Sequence, residues 1–339
     1  MTARLPSSAS RAKRTACCTW ANSGLYLLVG PNPDKDPQDL SERGETPYAP
    51  VLATDGFLGD VVMAWHTRGR QNAPINYLQI VFPEVGPKLA VPLADEEAPA
   101  IAGRPGAFGI YTVTTNGSVI RLYRAEDRGV NWELRLIPGP PVPVLEGTVV
   151  KQVGLCSGPD ERLWLAWGNE DRIFAARTSS NVTRFEPVTS LRTPAGSLTL
   201  DRLECQGSAG PLDLLADLEF ATPGKAGAYH TQVLPQLTVS EQIARFEATG
   251  TKVTFTVTDA GEPLPGAKVR FEGKTLTTNR AGRVTVTTRV GRGGRLAASA
   301  SIAGYLGEKL ECSVTTKGNS CINSGSSSSG GGGGGGGRT

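Results

Sequence analysis

An all-β chain is what this sequence predicts, and three observations carry the expectation. Its 339 residues hold 42 Gly and 24 Pro with only 20% charged residues, a composition suited to many turns between short strands. Strongly apolar runs recur along residues 48–239, separated by Gly, Asp and Pro-rich turns. Around them lie segments that alternate apolar and polar residues, the period of two that half-buried strands require.

Taken in order, residues 1–47 are poorly patterned. Gly24-Leu25-Tyr26-Leu27-Leu28-Val29-Gly30 is a strand, and Pro31 to Pro47 is a proline-rich loop. The region is a poorly ordered segment or a partial repeat unit. From residue 48 to about 245 one pattern occurs four times. Its apolar strands are Asp60 to Trp65, Ala107 to Val113, Leu163 to Trp167 and Leu212 to Ala216, at intervals of roughly 46, 55 and 49 residues. That is close to the four-strand blade of a β-propeller. Each apolar strand is followed by an alternating one: Tyr77 to Val81, Val119 to Tyr123, Arg172 to Ala176 and Ala228 to Val233. Repeated sandwich domains would need about twice the length per unit.

A second domain spans residues 250–316. Lys252 to Thr258 alternates cleanly and ends in the turn Asp259-Ala260-Gly261. Pro263 to Phe271 forms the next strand, and Thr277 to Val286 a strand, a Gly-closed turn and a return strand. Gly282 supplies the left-handed position of that turn, where a side chain would be strained. Residues 322–339 are almost pure Ser and Gly, which cannot bury apolar surface and make a flexible tether.

Two stretches resemble known families. Ala125-Glu126-Asp127-Arg128-Gly129-Val130-Asn131-Trp132 follows a strand. It pairs an Asp that bonds its own turn with a Gly at positive φ and a Trp that covers the turn. This resembles the Asp-box of sialidase-like (BNR-repeat) β-propellers, with Ala125 and Asn131 where the family has Ser and Thr. The resemblance implies a structural role at the blade periphery for Asp127, Gly129 and Trp132. It also implies six blades, so the four or five units here form either a small ring or part of a six-bladed protein. Residues 251–316, with Asp259, Gly261, Pro263, Gly266-Ala267, Asn279, Gly282 and Ala303-Gly304-Tyr305, are similar to bacterial Ig-like modules of the invasin (Big-1) and carboxypeptidase-regulatory-like types. That implies a β-sandwich.

A net charge of +3 gives no global attraction to nucleic acid or acidic membranes, and no apolar run reaches the ~18 residues of a spanning helix. Met1 to Cys18 is basic and lacks the apolar core of a signal peptide. Among six cysteines, Cys156 and Cys205 precede the apolar strands of consecutive units, and Cys312 and Cys321 lie close together. Disulfides Cys156–Cys205 and Cys312–Cys321 are expected, with unpaired thiols the alternative, and they suit an oxidising compartment. Two His and no Cys-x-x-Cys leave no metal site, and no cofactor motif is present.

Catalytic patterns are absent as well: there is no Gly-x-Ser-x-Gly, His-Glu-x-x-His or P-loop. The sialidase resemblance implies an Arg cluster, a Tyr nucleophile with a Glu base, and an Asp acid. Only Arg4-Leu5-Pro6 echoes its arginine motif, and no Tyr/Glu pair is assignable. Trp65, Trp164 and Trp167 are blade core or, alternatively, sugar-stacking platforms. Arg289, Arg292 and Arg295 form a basic cluster in a domain with ten Lys or Arg against five Asp or Glu. They are a solvated loop or a polyanion contact. Asn116 and Asn181 head glycosylation sequons. The expected function is a non-catalytic extracellular or cell-surface binding or display module for a glycan or protein, with the sandwich as spacer. A sialidase-class glycoside hydrolase and a purely structural surface protein are the alternatives.

Overall fold

The computed structural model describes residues 8–14, 20–27, 38–40, 45–68, 74–92, 99–127, 129, 132–144, 147–220, 226–247, 250–289, 294–315 and 318–325. Among them every regular element is a strand, so the chain is all-β. It divides into two compact units, Met1–Val233 and Leu234–Thr339.

Among the described residues the first unit contains five small antiparallel sheets, each an up-and-down meander of consecutive strands. The first sheet is β1 (Ser8–Arg14), β2 (Trp20–Leu27) and β3 (Gln38–Asp39); the second is β4 (Tyr48–Thr54), β5 (Val61–Arg68), β6 (Pro74–Phe82) and β7 (Leu89–Val91). The third runs β8 (Ala100–Gly103), β9 (Ile110–Thr115), β10 (Ile120–Asp127) and β11 (Leu134–Pro138). The fourth runs β12 (Gln152–Ser157), β13 (Leu163–Gly168), β14 (Arg172–Arg177) and β15 (Thr189–Arg192). The fifth is β16 (Ser197–Gln206), β17 (Leu212–Phe220) and β18 (Ala226–Val233).

These sheets stack face to face in chain order, and strand periodicity shows how. Successive side chains of a strand point to opposite faces. Along β13, Leu163, Leu165 and Trp167 join a core with the third sheet, while Trp164 and Ala166 join a core with the fifth. Along β5, Val62 and Ala64 pack toward the third sheet, while Val61, Met63 and Trp65 pack toward the first. A strand buried on both faces needs an unbroken apolar run, which is what β5 and β13 carry. The alternating strands are deeper than their pattern implied: Leu78 and Ile80 of β6 serve one core, and Tyr77 and Val81 the other. Trp65, Trp164 and Trp167 are fully buried. They are core, not exposed stacking platforms.

The fifth sheet differs. On β17, Leu212, Leu214, Ala216 and Leu218 are buried against the fourth sheet, whereas Leu215, Asp217 and Glu219 on the other face are exposed. Register places Arg202 and Glu204 of β16 and His230 and Gln232 of β18 on that same outer face. The stack therefore ends in a mainly polar surface broken by Leu215, the device by which a repeat array terminates with little apolar area exposed. Among the described residues no sheet closes on itself.

The first strands of successive sheets lie side by side, β4 by β8, β8 by β12 and β12 by β16. Their approach is close enough to dictate glycine. A Cβ on Gly103 would sit 1.9 Å from the Thr54 carbonyl oxygen, and one on Gly56 1.9 Å from that of Arg104.

The second unit packs two antiparallel sheets around one core. One comprises β19 (Leu237–Glu247), β20 (Gly250–Asp259), β21 (Glu262–Pro263) and, pairing with β20, β24 (Arg283–Thr288). The other has strand order β23-β22-β25-β26-β27, built from β22 (Lys268–Phe271), β23 (Lys274–Thr277), β25 (Arg295–Ser301), β26 (Glu308–Thr315) and β27 (Gly318–Gly325). Val253, Phe255 and Val257 of the first sheet meet Val269, Phe271, Leu296 and Leu310 of the second. Because β19 pairs with β20, residues 237–247 belong to this unit; the sequence expectation had run the repeats to residue 245. Sheet pairing also extends through residue 325, into the segment expected to be tail.

Candidate functional site

The side-by-side run of first strands creates the most site-like feature of the first unit. Leu52, Ala53 and Thr54 of β4, Ile101 to Gly103 of β8 and Leu155 to Ser157 of β12 wall a groove of about 560 Å³. Arg104, Pro105, Gly56 and Gln206 complete the lining. The walls are mainly aliphatic, and none of these residues carries a carboxyl, imidazole or phenol.

Among the described lining residues, Arg104 is the one charged group of the groove. It is 8% exposed, held because one terminal nitrogen, Nη1, donates to the carbonyls of Ser180 at 2.6 Å and Glu161 at 3.1 Å. Its guanidinium lies 5.2 Å from the centre of the Tyr111 ring. Nε is sealed without a hydrogen-bond partner, and among the described residues no carboxylate lies within ion-pair distance. A cation taken out of water with only carbonyls and a ring face for company is under-compensated. Ser157 Oγ donates to the Gly103 carbonyl at 2.6 Å, tying the wall strands together.

Other buried arginines of this unit have protein partners. Arg162 donates to the Thr178 carbonyl at 3.0 Å. Arg177 lies 4.0 Å from Glu186 and over the Trp164 ring. Glu126, 5% exposed, pairs with Arg124 and, at 2.8 Å, with Arg135.

The residues expected to form an Asp-box turn fall at the far end of β10. Asp127 Oδ1 accepts from the Gly129 amide at 2.9 Å, and Gly129 has φ 72°. Trp132 packs beside the core between the second and third sheets, and its indole donates to Glu84 at 3.1 Å. Arg128, Val130 and Asn131 lie outside the described residues.

Near this turn, Asp55 caps its own hairpin. Its Oδ1 accepts from the Phe57 and Leu58 amides at 2.7 Å, and its Oδ2 from Gly109 across the sheet gap. Asp60 closes the same hairpin, 7% exposed. Burial, then the negative charges of Asp127 and Asp55, raises its pKa above the usual carboxylate value. No group of three or more ligating side chains among the described residues has a geometry that would hold a metal. Folded Asp60 resists ionising where the unfolded chain ionises freely, so its contribution declines as pH rises through the carboxylate range. Asp60→Asn is therefore expected to raise the melting temperature at neutral pH and to leave it nearly unchanged at pH 3, measured by thermal melts at both pH values.

Cys156 and Cys205 are joined by a disulfide with Cα atoms 5.8 Å apart. It connects β12 to β16, the pairing expected from equivalent positions in consecutive units. Cys312 is also disulfide-bonded, and the β26–β27 register sets Cys321 opposite it. Of the arginine cluster, Arg289 is exposed just past β24 and Arg295 is exposed at the start of β25. Arg292 lies outside the described residues. Leu5 and its neighbours in the faint arginine motif lie there too.

No protein-family model matches the sequence, and no curated protein matches it. No helix is long and apolar enough to cross a membrane among the described residues.

Proposed function

We propose that the protein is a non-catalytic extracellular or cell-surface binding module, and that its ligand lies in the first-strand groove with an anionic group at Arg104. On this reading the first unit is an open, propeller-like arc of the sialidase-like type and the second an Ig-like spacer. The observation that carries it is a buried, under-compensated guanidinium set in an apolar groove. A ligand anion would supply the charge the groove lacks, and charge-assisted pairing with a fixed guanidinium is both strong and directional. Ordered meander sheets with adjacent first strands support the arc. The disulfide supports an oxidising compartment.

Glycoside hydrolysis generally requires an acid and a second carboxylate or phenol flanking the scissile bond, and the groove lining offers neither. The test is binding of the full chain to an array of acidic and neutral glycans and surface proteins. Arg104→Gln should weaken retention of the acidic ligand at least about tenfold, with an unchanged melt as the folding control. Wild-type turnover of a fluorogenic sialoside would replace this reading with the hydrolase. Equal retention of wild type and variant would remove Arg104 from the site.

A further inference from the structure

The outer face of the five-stranded sheet in the second unit carries a charge pattern that the arginine cluster only partly foreshadowed. Inward residues of β22 are Val269 and Phe271, which leaves Lys268 and Arg270 outward and exposed. The same alternation on β26 buries Leu310 and Cys312 and exposes Lys309 and Glu311. Between these strands runs β25, whose outward residues are Arg295, Ala297, Ser299 and Ser301. Register aligns Arg270 with Ser299 and Ser299 with Lys309, so one row crosses the sheet as cation, hydroxyl, cation.

β22 and β26 are separated by two strand spacings, about 10 Å, and residues two apart on a strand by about 7 Å. Arg270 thus stands about 7 Å from Lys268 and about 10 Å from Lys309, with Lys268 and Lys309 about 12 Å apart on the diagonal, while Arg295 marks the far end of β25. Four cations face one acid, Glu311, and none of the four forms an ion pair with a described residue. Unpaired like charges at this spacing repel one another, and a ligand of opposite sign relieves that repulsion.

We propose that this face binds a linear acidic polysaccharide lying along β25, its negative groups between Lys268 and Arg270 on one side and Lys309 on the other. The short side chains of β25 let a chain approach the sheet, and Ser299 and Ser301 offer hydroxyls to sugar hydroxyls. Bases and lipids are disfavoured partners. Single-stranded nucleic acid is held by stacking on exposed aromatics, and membranes by apolar anchors. Every large exposed hydrophobic residue among those described lies in the first unit. This surface belongs to the second unit and the groove to the first, and its test is independent of Arg104.

The experiment is binding of the full chain to polygalacturonate, with dextran as the neutral polymer. Binding is expected at 50 mM salt and to fall about tenfold by 300 mM, because exposed pairs are screened. Lys268→Ser/Arg270→Ser/Lys309→Ser should lose about tenfold, since three exposed pairs are removed. Glu311→Gln, a milder change, should tighten binding, and Arg104→Gln should leave it intact. Wild-type retention no greater on polygalacturonate than on dextran overturns the proposal. So does equal binding by the triple variant, or tighter binding to single-stranded DNA or to anionic phospholipid vesicles.

Discussion

Cys156→Ser/Cys205→Ser is expected to destabilise the first unit by about 4 kcal/mol, the chain-entropy value for a loop of this length. The disulfide closes 49 residues of sequence, and this loop contains all of β13, β14 and β15. Without the bond, the fifth sheet is attached to the fourth chiefly by apolar packing of Leu200, Leu203, Leu212, Leu214, Ala216 and Leu218 on Trp164, Ala166, Ile173 and Ala175. The fifth sheet also has packing on one face alone, because its outer face is polar and exposed. It should therefore open first. Hydrogen exchange on the variant, or on wild type with reductant, is expected to show β16–β18 amides losing protection before those of β5 and β9. All five Trp residues of the chain lie in the first unit, so their fluorescence follows its global unfolding separately from the second. An unchanged urea midpoint after verified reduction would mean that the apolar interface alone fixes the fifth sheet.

That asymmetry was written in the chain and is instructive about what strand patterns convey. The runs at Val61, Leu163 and Leu212 all place strands where they occur. Leu212-Asp213-Leu214-Leu215-Ala216-Asp217-Leu218-Glu219 nonetheless alternates at every position but Leu215, whereas Leu163-Trp164-Leu165-Ala166-Trp167 does not. The difference between one buried face and two was therefore legible, and it marks the end of the stack. Pairing was not legible: Leu237 to Ile243 has the alternation of any half-buried strand, and only contact with β20 assigns it to the second unit. The groove was hidden for a related reason. Gly103-Arg104-Pro105-Gly106 has the composition of a solvated turn, and nothing local reveals that carbonyls from residues 161 and 180 clamp the guanidinium. In the second unit the charges at 268 and 270 were visible as strand alternation. Their alignment with Lys309 needed the register.

Raising the pH from 4.5 to 8 should weaken the second unit, and the cause is one carboxyl group. Glu308 on β26 is 3% exposed and takes a hydrogen bond from the Val239 amide of β19. Burial lifts its pKa from 4.5 to about 7, the Val239 hydrogen bond acting in the opposite sense. Below 4.5 folded and unfolded chains both hold the proton, and the unit has its full stability. Between 4.5 and 7 the unfolded chain releases the proton while the folded one keeps it, so stability falls with rising pH. Above 7 both are ionised and the loss levels off at about 3 kcal/mol, from ~1.4 kcal/mol per pKa unit. No described cation pairs with Glu308 to offset this. Glu308→Gln keeps an acceptor for Val239 and removes the charge, so it should flatten the profile and stabilise the unit at pH 8. Exchange rates of the Val253 and Phe255 amides, both in the core of this unit, measure its opening within the full chain. The opening free energy they give should drop between pH 4.5 and 8 in wild type and stay level in the variant. Equal slopes in the two proteins would assign the pH dependence to another group and leave Glu308 ionised at its ordinary value.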